Sequence, residues 1–128
     1  MKKHILKALL TTTLFAVATL IVYAQTDSKT VTISAKDLYE GMKNKSLRFT
    51  YGQEMIITGI LENTGSSIVY NSGYLLISDK EGGHIYVKAV LADKRKRSEY
   101  KKGQIVKIRC HFYEERSNVV VVKDAKNE

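Results

Sequence analysis

"QIVKIRCHFYEE", residues 104–115, decides the fold. Val106, Ile108, Cys110 and Phe112 alternate with Lys107, Arg109, His111 and Tyr113. A period of two sends the first set to one face of a strand and the second set to the other. The apolar set predicts a core-facing side, with Cys110 as a small buried apolar residue. "KKG" at 101–103 supplies a turn before this strand, and "RSN" at 116–118 turns the chain into "VVVVKDA", a further strand. Upstream, "YLLISD" (74–79) and "HIYVKAVL" (84–91) read as two strands joined by "KEGG", which has hairpin turn chemistry. "EMIITGILEN" (54–63) is the first of the series, with Gly59 in its middle predicting a bend or bulge. "TGSSIVYNSG" (64–73) reads as a loop with an apolar centre.

Before the strands, "SAKDLYEGMKN" (34–44) predicts a short helix. Ser34 can cap it with Asp37 three residues on, Leu38 and Met42 share a face, and Gly41 weakens its interior. The expected class is therefore all-β with a short N-terminal helix. Five strands with a charged connection between the third and fourth fit a small closed barrel better than a sandwich, which needs about seven.

The chain opens "MKKHILKALLTTTLFAVATLIVYAQTDS". Lys2, Lys3 and Lys7 precede an uncharged stretch from Ala8 to Ala24, and Val22 and Ala24 stand two apart before Gln25. This is the pattern of a secretory signal peptide, residues 1–24, cleaved between Ala24 and Gln25. An uncleaved anchor is the alternative, but the core is short for a span of ~20 residues and holds four threonines. The expected location is the periplasm or the exterior. Cleavage would remove three lysines, leaving 18 basic and 13 acidic residues and lowering the net charge from +8 to +5. That mildly favours anionic partners. The expected organisation is a flexible N-terminus over 25–33 and one domain over 34–128. A single cysteine excludes an internal disulfide, so stability rests on packing.

The segments "SAKDLYEGMKN", "YGQEMIITGILEN", "YLLISD", "HIYVKAVL" and "YKKGQIVKIRC" resemble the exported bacterial OB-fold domains called tRNA_anti-like. Tyr51-Gly52, Ile57-Thr58-Gly59 and Lys102-Gly103 to Val106 match the family's approach to its first strand, that strand's glycine and the opening of its fourth strand. The resemblance implies a five-stranded OB barrel behind an N-terminal helix. Members often carry a second glycine late in the fourth strand, where this chain has Arg109 and Cys110. The family name records a fold likeness to anticodon-binding domains and brings no defined activity.

An OB domain usually binds ligands on its second and third strands and the loops that join strands one to two and four to five. That places Tyr74, Tyr86 and Lys88 on the candidate face, with Tyr70 and Asn71 in the first loop and Arg116 in the last. Ser78 is expected to face outward with Tyr74 and Leu76. Rings beside cations suit an oligosaccharide, an anionic polymer or a single strand of nucleic acid, although tyrosine also simply covers pleated sheet. If Tyr74, Tyr86 and Lys88 scatter, an envelope structural or protein-interaction role gains. The run Lys94-Arg95-Lys96-Arg97 reads as a solvated face away from the ligand surface, with Asp93–Arg97 and Arg95–Glu99 pairs if it is helical. His111 and Cys110 point to opposite faces, which fits neither a zinc site nor a Cys–His nucleophile. No metal, cofactor or catalytic set is implied, and the expectation is a binding protein rather than an enzyme.

Overall fold

The computed structural model describes residues 30–116 and 118–128. Expectations for the leader, its cleavage point and residues 25–29 lie outside that range. Strand β1 (Val31–Ser34) leads into helix α1 (Ala35–Lys43), followed by β2 (Glu54–Ser67), β3 (Ser72–Ser78), β4 (Val87–Leu91), a 3₁₀ helix (Lys94–Glu99), β5 (Ile105–Glu115) and β6 (Val120–Asn127). The sheet runs β1-β2-β3-β4-β6-β5, and β5 returns to pair with β2. Five strands, β2 to β6, thus close a barrel of OB type. β1 is an added sixth strand that the sequence reading misses, having assigned its first three residues to a flexible N-terminus and Ser34 to the helix cap. It is ordered by parallel pairing with β2, from Val31–Met55 to Ser34–Thr58.

Gly59 is where β2 changes partners. Up to Thr58 its neighbour is β1, and from Ile60, opposite Ser78, its neighbour is β3. Through the same stretch its other edge stays on β5, with Gly59 opposite Val106. A Cβ at Gly59 would lie 2.4 Å from Ile77 Cγ2 and 2.7 Å from the Ser78 carbonyl oxygen, so only glycine lets the two strands approach. Ser34 ends β1 and caps α1 in one step, its hydroxyl accepting from the Asp37 N–H at 3.1 Å. The helix then buries Ala35, Leu38 and Met42 against the barrel interior. Gly41 is explained by packing: a Cβ there would meet the Leu47 side chain at 2.3 Å.

The alternation in β5 holds. Val106, Ile108, Cys110 and Phe112 are buried in the core with Met55, Ile57, Leu75, Ile77, Val120 and Val122. Burial pushes the Cys110 thiol up to about 12, with the Glu54 charge adding to the effect. The curvature that a second glycine would give comes instead from register shifts between β5 and β6, at Arg109/His111 and Phe112/Glu114. On β6 this irregularity contains Asp124 in left-handed conformation, φ 55°. Outside the barrel, Arg109 clamps two carboxylates: one nitrogen donates to Glu54 at 2.8 Å, and two donate to Glu128 at 2.8 and 2.7 Å. The Thr30 hydroxyl donates to the same Glu54 oxygen at 2.6 Å.

Three expectations change. Residues 64–67 and 72–73 are strand rather than loop, so the β2–β3 connection shrinks to the tight turn Ile68–Asn71. Asn71 permits it by taking a left-handed φ of 52°. The strand expected from His84 begins only at Val87. Ser78 is fully buried, not outward, because it stands beside the Gly59 crossover.

Replacing Gly59 with Ala should cost about 1–3 kcal/mol, since the new methyl group meets backbone that cannot rotate away. Urea unfolding should show a lower midpoint with an unchanged slope. The Arg109 clamp predicts an acid-sensitive component of stability. The Thr30 hydroxyl and then Arg109 hold Glu54 below the usual carboxylate range, against some desolvation. Arg109 does the same for Glu128. Depressed carboxylates stabilise the fold above the unfolded value of about 4.3, and that stability is lost as pH falls through the lower folded values. Chemical denaturation across this window should show a shallower pH slope for Arg109→Gln than for the parent.

Candidate functional site

Side chains that point out of β3, β4, β5 and β6 meet on one side of the barrel. Tyr74 lies opposite Gly65 on β2, and a Cβ on Gly65 would meet the Tyr74 ring at 2.4 Å. The glycine therefore makes room for the ring. The Lys88 ammonium stands 4.3 Å from the Tyr74 centroid and 5.5 Å from that of Tyr70. The Lys123 ammonium stands 5.5 Å from Tyr70 and 4.4 Å from Tyr113. Tyr113 in turn meets Tyr70 edge-on at 6.1 Å and Tyr51 at 5.7 Å. The result is one strip, Tyr74–Lys88–Tyr70–Lys123–Tyr113–Tyr51, alternating ring and cation for most of its length.

Strand β6 supplies the second cation of this strip. Val120 and Val122 face the core, and a regular strand would continue that alternation. That alternation sends Lys123 outward, between Tyr70 and Tyr113, and the left-handed Asp124 breaks it only afterwards, so that Ala125 rather than Asp124 faces the core. Val121 and Val90 are buried on the outer side of the sheet and give the region an apolar floor. Neither Lys88 nor Lys123 forms an ion pair with a carboxylate among the described residues. By contrast, Arg116 is held by Glu114 at 2.7 Å. It lines a hollow of about 190 Å³ with Tyr70, Lys88 and Val121, at one flank of the strip.

Of the residues named from the sequence, Tyr70, Tyr74 and Lys88 come together and Arg116 stands beside them. Asn71 serves the turn and lines a neighbouring groove of about 610 Å³. Tyr86 does not join. It precedes β4 and packs on the core beneath α1, its ring 5.3 Å from Tyr39 and 4.8 Å from His84. The expectation that Tyr74, Tyr86 and Lys88 share a face holds for two of the three. Tyr113, Lys123 and Tyr51 complete the strip and were missed. The outward position of Tyr113 was legible in the β5 alternation. Lys123 was hidden, because a run of valines has no polar–apolar contrast from which to read the phase of the strand.

The basic run also sits differently from expectation. Its 3₁₀ helix packs on β3, and Lys94 and Arg95 line the same groove as Tyr70, Asn71 and Lys123. Because 3₁₀ geometry aligns residues three apart, Lys96 pairs with Glu99 at 3.0 Å. Asp93 caps the helix and binds Arg95 at 3.2 Å, replacing the four-apart pairs.

The closed five-stranded barrel, the helix before it and the Gly59 crossover now stand beside the sequence. The tRNA_anti-like family model matches residues 1–126. The chain belongs to the tRNA_anti-like family. This tRNA_anti-like domain is an OB-fold binding module, and its strip runs from β3 and β4 past the β2–β3 turn to β6 and β5. No curated protein matches the chain.

Ring currents offer a direct check of the strip. The side-chain methylene protons of Lys88 and Lys123 should resonate upfield of ordinary lysines. Tyr74→Leu should return Lys88 toward the ordinary position and leave Lys123 shifted, whereas Tyr113→Leu should do the reverse.

Proposed function

We propose that the protein is an exported, non-enzymatic binding module that holds an acidic polymer, an anionic glycan, along the tyrosine–lysine strip. The observation that carries this reading is the pair Lys88 and Lys123. Both ammoniums are held between tyrosine rings and neither is neutralised by a carboxylate among the described residues. A cation pre-positioned in this way loses little freedom when it meets an anionic group. Lys94 and Arg95 extend the positive surface along the adjoining groove.

The same contacts weigh against base stacking as the principal mode. A nucleobase needs an open ring face. Here lysines occupy faces of Tyr74, Tyr70 and Tyr113, and Gly65 lies under Tyr74. The ring left most open is Tyr51, 74% exposed at one end. Acidic sugars, which offer carboxylates and hydroxyls around small apolar faces, suit ammoniums and phenol hydroxyls better. Export rests on the leader pattern of residues 1–24. The non-enzymatic reading is supported by Cys110, whose thiol is buried and held protonated while His111 faces the other way.

Titration with polygalacturonate and with neutral dextran tests the ligand class. The parent should bind the acidic polymer in a salt-dependent manner and not the neutral one. Lys88→Gln combined with Lys123→Gln should lose about tenfold or more in affinity with the fold intact. Equal binding of dextran, or undiminished binding by the double variant, would overturn the reading. N-terminal sequencing of protein from the cell envelope should begin at Gln25, and a start at Met1 would count against cleavage.

A further inference from the structure

The tight turn between β2 and β3 ends in two β-branched apolar residues at full exposure. Ile68 is 99% exposed and Val69 87%. Nothing in the turn requires them. Its conformation is set by Asn71, whose N–H donates to the Ile68 carbonyl at 3.2 Å, and by the Ser67 hydroxyl, which accepts from the Tyr70 N–H at 3.3 Å. Small polar residues would make the same turn and avoid exposing apolar surface.

Directly behind this tip lies a groove of about 380 Å³ lined by Ser66, Ser67, Ile68, Ser72, Lys94 and Arg97. Arg97 is a fitted part of it. Its stem lies 3.1–3.3 Å from where a Cβ on Gly73 would be, so Gly73 makes room for it. Its guanidinium donates to Ser66 Oγ. Neither Lys94 nor Arg97 meets a carboxylate within ion-pair distance among the described residues, although Arg95 and Lys96 on the same helix both do. The run is therefore split: two cations are neutralised locally, and the two facing the tip are not.

We propose that this tip is a membrane-docking point, with Ile68 and Val69 entering the interface of a bilayer rich in anionic phospholipid and Lys94 and Arg97 meeting its headgroup phosphates. The shape favours a bilayer over a protein partner. Ile68 projects almost wholly into solvent, and the hollows at the flanks of the tip both carry cations, Lys94 and Arg97 in one and Lys88 and Arg116 in the other, which a rigid apolar partner would have to desolvate but an anionic fluid interface accepts together with the apex. The chemistry behind it follows the order of a bilayer leaflet: apolar apex, then the cations and serine hydroxyls of the groove.

The chain contains no tryptophan, which provides the test. Ile68→Trp in the full chain places a single indole at the tip. It therefore reports the tip itself, whatever else holds the chain near a membrane. With vesicles of phosphatidylglycerol and phosphatidylethanolamine, its emission should shift to the blue and be quenched by brominated acyl chains. With phosphatidylcholine vesicles it should do neither. Adding Lys94→Gln and Arg97→Gln should weaken the response about fivefold per cation removed, an effect that high salt reproduces. Adding Val69→Asp should abolish it. Emission that stays water-like with anionic vesicles, or an equal response to neutral ones, would overturn the proposal. So would a blue shift that grows with protein concentration without lipid, which would mark the tip as a contact between copies.

Discussion

One backbone approach organises the molecule: β2 against β3 at Gly59. A single strand must serve β1, β3 and β5, and it can do so only by bending where the β1 pairing ends and the β3 pairing begins. The missing Cβ allows Ile77 and the Ser78 carbonyl to come close at the bend. From there the other features follow geometrically. β1 ends at the crossover, so its last residue caps the helix and the helix enters the barrel with Ala35 beside the glycine. β3 ends its pairing at the crossover, with Ser78 opposite Ile60, in a register that sets its outward Tyr74 over Gly65. The glycines at 59 and 65 thus have opposite tasks. One admits backbone, and the other admits a ring.

The strip shows how a barrel assembles a site from residues far apart in sequence. Tyr51 precedes β2, Tyr70 is in the first turn, Tyr74 on β3, Lys88 on β4, Tyr113 on β5 and Lys123 on β6. No two neighbours in the chain belong to it. Its electrostatics are local too. Each unpaired lysine sits against tyrosine rings rather than in open water, so its position is held without its charge being cancelled. The carboxylates that could neutralise it are used elsewhere: Glu114 on Arg116, and Glu54 and Glu128 on Arg109.

The sequence showed the barrel well where alternation was clean. β5 could be read residue by residue, because polar and apolar side chains take turns from Val106 to Tyr113. It read less well where physical determinants lie in pairing rather than in pattern. β1 looks polar and short, and only its partner makes it a strand. Ser78 looks like a surface residue, and only the crossover buries it. Tyr86 sits two positions before Lys88 and should share its face, yet the chain is not strand at Tyr86, and the ring turns to α1. Lys123 follows four valines in a row, which give no contrast between faces, so which of them point inward, and hence that Lys123 points out, is decided only by packing. The basic run was legible as charge but not as location, since its placement depends on the 3₁₀ helix packing back on β3.

The long-range pairing of β2 has a consequence for how the chain acquires its shape. Glu54 to Ile60 pair with residues 105–111, and β4 pairs in parallel with β6. Such contacts must close large loops before they gain anything, which makes folding slow relative to helical domains of similar size. During synthesis the helix and the β2–β3 hairpin can form early, but half of β2 has no permanent neighbour on one edge until β5 emerges. Until then that edge is a row of open amides and carbonyls, and the nascent chain is exposed to mispairing for as long as the ribosome holds its last strands.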